Sequence, residues 1–93
     1  MCKVKLTDAE ISALECNGVF EDLEDRYLPG IVDGRWLHFT ECAKEAIWSL
    51  SNDISNSEDA IAEDRSNDPE TRRFARLAAA AMARLSFKVS KAT

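Results

Sequence analysis

The fold is decided by residues 40–89, which read TECAKEAIWSLSNDISNSEDAIAEDRSNDPETRRFARLAAAAMARLSFKV. This stretch predicts two long helices joined by one sharp turn at residues 66–69. Asp68 is a favourable N-cap, Pro69 suits the first helical position, and Glu70 adds negative charge to the first turn. Because the connection is short, the two helices are expected to pack as antiparallel neighbours.

The first of these helices is predicted for residues 40–65, with Thr40 as its N-cap. Its apolar and small residues recur at alternating spacings of four and three, which places them on one helical face. That seam consists of Ala43, Ile47, Leu50, Ile54, Ser57 and Ile61. Ser55 and Glu58 also form a capping-box pattern, so a break there is the alternative to one continuous helix. The unbroken phase of the seam favours continuity.

The second long helix begins at Pro69 and is rich in alanine. Its predicted seam consists of Phe74, Leu77 or Ala78, Ala81, Leu85 and Lys88 or Val89. Alanine has the highest helix propensity, and its small side chain allows another helix to approach closely. The face formed by residues 75–83 is therefore the predicted contact with a second copy of the chain.

The residues before Thr40 predict shorter elements that pack on the long helices. Thr7 and Glu10 form a capping box, so a short helix is expected to follow Thr7. Residues 19–28 predict another short helix. Asp33 and Gly34 lie between β-prone residues and predict a hairpin turn, with a structured loop as the alternative.

The first six residues either fray or add a short strand. The predicted fold class is therefore all-α, a long antiparallel helical hairpin with one or two short N-terminal helices and a small β-turn or hairpin before it. We expect one helical domain over residues 1–93, with residues 1–39 forming an N-terminal lid on the hairpin of residues 40–93.

Charge is divided unevenly along the chain. Residues 1–70 contain six basic and 17 acidic residues, a net charge of −11, whereas residues 71–93 contain six basic residues and no acid. The arginines of the last helix either neutralise acids of the preceding helix or bind an anion. Free N–H groups at a helix start and guanidinium groups both suit phosphate. The candidate anion site consists of Arg72, Arg73 and Arg76.

Residues 21–25 contain a dense cluster of four acids, and Tyr27, Trp36 and Phe39 lie around the loop before Thr40. Runs of acids are usually solvated surface, and aromatic side chains often close the open end of a small core. The alternative is a surface that docks on a basic partner protein, because charge complementarity speeds association and aromatic and arginine residues dominate hot spots. The candidate partner-binding residues are Glu21, Asp22, Glu24, Asp25, Tyr27, Arg35 and Trp36.

The sequence contains no catalytic or metal-binding motif. His38 and Cys42 are at most half of a metal site, and the three glycines do not form a phosphate-binding loop. We therefore predict no enzymatic activity, no metal and no cofactor. Three cysteines without CxxC spacing suit a reducing cytoplasm. No apolar run approaches the ~20 residues that a membrane span needs.

This layout, a short acidic helical chain without catalytic motifs, resembles small bacteriophage-encoded anti-defence proteins. These include anti-CRISPR proteins and oligomeric helical-hairpin proteins that sequester cyclic nucleotide signals. The resemblance implies a non-enzymatic inhibitor in the cytoplasm of a bacterial host. It is expected to dock through its acidic and aromatic surfaces on a host defence protein that handles nucleic acid, and to block it. The alternative is an oligomeric sponge for cyclic nucleotides, with Tyr27 and Trp36 stacking on bases and Arg72, Arg73 and Arg76 holding phosphates.

Two expectations about partners follow from size and charge. A chain of 93 residues has a small core, so a homo-oligomer is expected to bury more surface. Direct DNA binding is not expected, because a net charge of −5 is repelled by phosphates except along the basic last helix.

Overall fold

The computed structural model describes residues 2–17 and 31–92, in which three α-helices accompany a three-stranded antiparallel sheet. In chain order the elements are the strand β1 (Cys2–Lys5), the helix α1 (Asp8–Cys16), the strands β2 (Ile31–Asp33) and β3 (Trp36–Phe39), a 3-10 turn (Glu41–Ala43), and the helices α2 (Lys44–Glu63) and α3 (Pro69–Lys91). The helix predicted for residues 19–28 lies outside the described residues.

The predicted cap at Thr40 is present, although it begins a 3-10 turn that leads into α2. The Thr40 hydroxyl accepts a hydrogen bond from the Ala43 N–H at 3.2 Å. The helix α2 then continues through the Ser55 and Glu58 pattern without a break. Ser55 does not cap a new helix because its hydroxyl donates to the Ala79 carbonyl oxygen of α3, at 2.9 Å.

The helix α3 begins as the sequence predicts. Asp68 is its N-cap and accepts a hydrogen bond from the Thr71 N–H at 2.6 Å, and Pro69 occupies the first turn. Hydrogen bonds also join α3 to α2 near both ends of the pair. The Arg72 Nε donates to the Ala62 carbonyl oxygen at 3.0 Å, and the Lys44 Nζ donates to the Ala92 carbonyl oxygen at 2.7 Å.

The predicted seam between α2 and α3 is correct in part. Ile61 and Phe74 are 37% and 42% exposed, and Leu77, the alternative to Ala78, is 61% exposed. The seam residues that are buried as predicted include Ile47, Ile54, Ala78, Ala81, Leu85 and Val89. Small residues outside the predicted seam are buried as well, namely Ser51 and Ser55 of α2 and Ala75 and Ala79 of α3. Small side chains at these positions allow close approach of the helix axes.

The same packing bears on the predicted contact with a second copy. Ala75, Ala78, Ala79 and Ala81 are each at most 4% exposed within a single chain. The face of residues 75–83 is therefore largely covered by the chain itself, and only Ala80 and Ala83 retain exposed side chains among its alanines.

The sheet shows that the all-α class is correct only in part. Strands β1 and β2 both pair with β3, which gives the order β1-β3-β2. The predicted β-hairpin is confirmed with its loop shifted by one residue from the Asp33-Gly34 signal: Gly34 and Arg35 connect the paired residues Asp33 and Trp36, and Gly34 has a φ of 63°. A positive φ at the first loop position is typical of the primed hairpin turns, which glycine adopts without steric cost.

The sheet and α1 close one end of the core. Cys2 and Val4 alternate with Lys3 and Lys5, so that one side of β1 is buried and the other faces solvent. The predicted capping box is confirmed, since the Thr7 hydroxyl and the Glu10 carboxylate each accept the other residue's N–H. The largest fully buried apolar side chains are Leu6, Leu14, Leu37, Phe39, Ile47, Ile54, Met82, Leu85 and Val89.

Candidate binding site

A groove of about 520 Å³ lies between β1 and the C-terminal end of α3, and its lining is basic and aromatic. The lining residues are Lys3, Val4, Lys5, Trp36, Phe87, Lys88, Lys91 and Ala92. Four of them are lysines and none is acidic. We call this feature the basic groove.

Local sequence periodicity places the lining side chains of each segment on one face of its strand or helix. The alternation of β1 directs Lys3 and Lys5 to the exposed side, and the register places Lys5 directly opposite Trp36 on β3. Opposite residues of an antiparallel pair share one face of the sheet. On α3, Phe87 and Lys91 are four residues apart and therefore also share one face.

Both aromatic rings in the groove make a cation–π contact with a lysine ammonium group. The Lys3 Nζ lies 4.9 Å from the Trp36 ring centroid, and the Lys91 Nζ lies 5.5 Å from the Phe87 ring centroid. The rings remain accessible, because Trp36 is 40% and Phe87 is 63% exposed. A planar ligand can therefore reach either ring if the lysine moves aside.

Lys88 has a structural role at the floor of the groove. Its Nζ donates to the Lys5 carbonyl oxygen at 2.8 Å and to the Glu10 Oε1 at 2.5 Å. Glu10 is fully buried, so this ion pair ties α1, β1 and α3 together. The charge available to a ligand therefore comes from Lys3, Lys5 and Lys91.

The free edge of β1 also faces the groove. The Lys5 carbonyl points away from β3, since it accepts from Lys88 on α3. In an antiparallel strand the N–H and C=O of one residue point to the same side, and alternate residues repeat that direction. The N–H groups of Lys3 and Lys5 therefore lie on the free edge and add two donors for an anion.

Two of the predicted partner-binding residues are described, and they differ in environment. Trp36 lines the basic groove. Arg35 lies at the hairpin tip, where its Nη2 pairs with the Asp8 Oδ1 at 2.7 Å, both side chains being mostly exposed. The other five predicted residues, Glu21, Asp22, Glu24, Asp25 and Tyr27, lie outside the described residues.

The predicted anion site lies at the opposite end of α3. Arg72 uses its Nε to hold the Ala62 carbonyl, whereas Arg73 and Arg76 are exposed. Within residues 2–17 and 31–92, no ion pair joins these arginines to an acid of α2. The 15 residues from Arg72 to Phe87 span about 22 Å of helix, so these arginines and Trp36 do not form one site.

The outward side of α3 is a second exposed surface. Leu77 is 61% and Phe74 is 42% exposed, and the neighbouring Arg73 and Arg84 are exposed as well. No acid occurs on α3 after Glu70. We call Arg73, Phe74, Leu77 and Arg84 the α3 face.

Four candidate site residues were not predicted from the sequence, namely Lys3, Lys5, Phe87 and Lys91. Two local signals were available: the KVK alternation of residues 3–5 and the FKVSK spacing of residues 87–91. Neither signal indicates that the two segments meet, because they lie more than 80 residues apart and are joined only by tertiary packing.

The described residues contain no group of three or more His, Cys, Asp or Glu side chains that could hold a metal ion. His38 lies on β3, and Cys42 is exposed in the 3-10 turn. Another shallow pocket, of about 350 Å³, is lined by Glu41, Lys44, Glu45, Trp48 and Ser90. Its opposite charges make it less selective for an anion than the basic groove. Among the helices of the described residues, none combines the length and hydropathy required to cross a bilayer.

Comparison of the chain with protein-family models, with curated proteins and with solved structures found no match. The features that bear on function are therefore the basic groove and the α3 face.

Proposed function

We propose that this protein is a non-enzymatic inhibitor that docks on a host protein, and that the α3 face is the docking surface. The observation that carries the proposal is the exposure of Leu77, which is 61% accessible at the middle of a 23-residue helix. Burying such an apolar side chain in an interface contributes about 25 cal/mol for each Å² removed from water.

The residues around Leu77 suit a protein partner whose surface is both apolar and acidic. Phe74 is a second exposed apolar side chain, and Arg73 and Arg84 provide guanidinium groups beside it. Aromatic residues and arginine are enriched at interface hot spots, where arginine also forms forked bonds to carboxylates. The expected partner surface is therefore apolar at its centre and acidic at its rim.

The acidic cluster provides a separate contact in this proposal. Residues 21–25 contain four acids, which suit the positively charged nucleic-acid-binding surface of a host defence protein. A molecule with one acidic and one basic surface can engage two oppositely charged regions of the same host protein. The resemblance to phage anti-defence proteins remains part of this proposal.

The test is a pull-down from bacterial lysate with three matched proteins: the wild type, Leu77→Ser and Ile61→Ser. Ile61 is also exposed, at 37%, but lies on α2 and serves as the control. The proposal expects a complex that Leu77→Ser weakens at least tenfold and Ile61→Ser leaves unchanged. Equal retention by both variants would exclude the α3 face as the docking surface.

Two further measurements define the partner. Replacing Glu21, Asp22, Glu24 and Asp25 together by Lys is expected to weaken the same complex through the acidic contact. Sedimentation of the purified chain tests whether a second copy occupies the α3 face instead. A dimer that Leu77→Ser converts to a monomer would contradict the host-protein proposal.

The cyclic nucleotide sponge is the alternative function, with Tyr27 and Trp36 stacking on bases and Arg72, Arg73 and Arg76 holding phosphates. Within one chain, about 22 Å of helix separates Arg72 from the end of α3 that faces Trp36, so such a site would have to form between two copies of the chain. Sequestration of nucleotides through these arginines therefore remains the alternative to docking on a host protein.

A further inference from the structure

We propose that the basic groove binds a nucleotide, with its base in contact with the rings of Trp36 and Phe87 and its phosphate held by Lys3, Lys5 and Lys91. This site shares no residue with the α3 face or with the predicted arginine site, although Arg84 of the α3 face lines a neighbouring pocket together with Phe87 and Lys88. It assigns the protein a ligand in addition to a protein partner.

The groove has the size and polarity that such a ligand requires. Its volume of about 520 Å³ falls within the range of about 300–1,000 Å³ that small-molecule sites occupy. Three lysines are free of the Glu10 pair, and none of the described residues that line the groove carries a carboxylate, the nearby Asp33 being opposite Trp36 on β2. The outward N–H groups of β1 add uncharged donors beside the lysines.

The aromatic rings distinguish a nucleotide from an acidic peptide. A carboxylate ligand would use the lysines but would leave the accessible faces of Trp36 and Phe87 without a planar partner. A base uses both features, because nucleic acids bind where a positively charged groove accompanies aromatic stacking platforms. The two rings therefore favour a base and phosphate over a peptide carboxylate.

The energetic balance favours displacement of the lysines from the rings. A cation–π contact at an exposed site contributes about 0.5–1 kcal/mol, whereas stacking of a base contributes about 1–3 kcal/mol. The displaced ammonium group then contacts the phosphate, so its interaction is replaced and not lost. Lys3 and Lys91 therefore contact the rings when no ligand is bound. They contact the phosphate when the nucleotide is bound.

The net charge of −5 does not prevent binding at the groove. Charges beyond about 8 Å are largely screened at physiological ionic strength. The nearest buried acid, Glu10, is paired with Lys88, and Asp8 is paired with Arg35. Asp33 lies opposite Trp36 on β2 and shares that face of the sheet, so it offsets part of the positive charge. The three free lysines still leave the local charge positive.

The experiment is a fluorescence titration in a Trp48→Phe background, in which Trp36 is the only remaining tryptophan. The probes are AMP, cyclic di-AMP and a six-nucleotide oligothymidylate, which distinguish a free nucleotide from a single strand. Tripolyphosphate and a short oligoglutamate are the probes without a base. We expect a saturable change in Trp36 fluorescence with at least one base-containing probe. Tripolyphosphate and oligoglutamate are expected to bind at least tenfold more weakly.

The variants use matched pairs on α3. Phe87→Ala removes a ring of the groove, and Leu77→Ala removes a side chain of nearly equal exposure, 61% against 63%, outside it. Phe87→Ala is expected to weaken binding about tenfold, and Leu77→Ala is expected to have no effect. Lys91→Gln is expected to weaken binding and its salt dependence, whereas Arg76→Gln leaves both unchanged.

Several results would overturn the proposal. These are equal affinity for tripolyphosphate and the nucleotides, preference for oligoglutamate, no saturable response, or equal effects of Phe87→Ala and Leu77→Ala. Circular dichroism of each variant separates lost binding from lost folding. Because Leu77→Ser tests the α3 face and Phe87→Ala tests the groove, failure of this proposal is distinguishable from failure of the docking proposal.

Discussion

The ion pair between Glu10 and Lys88 provides a sharp test of how this small fold is stabilised. Glu10 is fully buried, and its Oε1 accepts from the Lys88 Nζ and from the Thr7 N–H. Within the described residues, its Oε2 is buried without a hydrogen-bond partner. Replacing Lys88 with Met therefore leaves a buried carboxylate without its cation.

The expected cost of Lys88→Met is large for a chain of this size. Breaking a buried ion pair by removing one partner costs about 3–5 kcal/mol. The Lys88 side chain is 32% exposed, so solvent screening places the effect near the lower limit, about 3 kcal/mol. Stabilities of whole domains are only about 5–15 kcal/mol, which makes this loss a substantial fraction.

The assay is urea unfolding followed by circular dichroism, with Lys88→Met, Glu10→Gln and the double variant. Glu10→Gln keeps an acceptor for Thr7 without the buried charge, so the double variant is expected to be more stable than Lys88→Met alone. Lys91→Met is the control on the same helix and is expected to change stability by less than about 0.5 kcal/mol. Strict additivity in this cycle, or a Lys88→Met effect as small as that of Lys91→Met, would refute the reasoning.

Three further predictions concern local and core features. Met82→Ala empties a fully buried position and is expected to lower the free energy of unfolding by about 2–5 kcal/mol in the same assay. Gly34→Ala is expected to cost about 1–2 kcal/mol through backbone strain alone, because φ is 63° and no atom lies within 4 Å of the added Cβ; a neutral result would contradict the turn conformation. Hydrogen bonds from the Thr71 N–H lower the pKa of Asp68 below its usual 3.8. The stabilisation by the Asp68 carboxylate is therefore present above pH ~4 and is lost as pH falls through the lowered pKa. Asp68→Asn caps without titrating, so melting temperatures from pH 5 to 2 should fall less in the variant than in the wild type.

Signals within a few residues of one another allowed accurate prediction. Thr7 with Glu10, and Asp68 with Pro69, mark the starts of α1 and α3 because a cap satisfies N–H groups of its own helix. Gly34 also predicts the hairpin turn from a local property, because glycine adopts a positive φ without steric cost.

The orientation of α2 and α3 depended on tertiary packing. Periodicity predicted Phe74, and either Leu77 or Ala78, at the seam; Ala78 is buried there, whereas Phe74 and Leu77 are exposed. Two adjacent stripes on one helix are both compatible with a period of 3.6 residues. The choice between them is made by the hydrogen bond from Ser55 to Ala79 and by the close approach that small side chains allow.

The sequence by itself determined the long helices, their turn and the division of charge along the chain, because each depends on local propensity or simple composition. Tertiary structure decided that β1 joins β3, and that Lys88 neutralises Glu10 at 78 positions' separation. The same long-range packing places Lys3 and Trp36 beside Phe87 and Lys91. Contacts of this kind leave no periodic trace in either segment, so the basic groove is visible only once the strand and the helix are packed together.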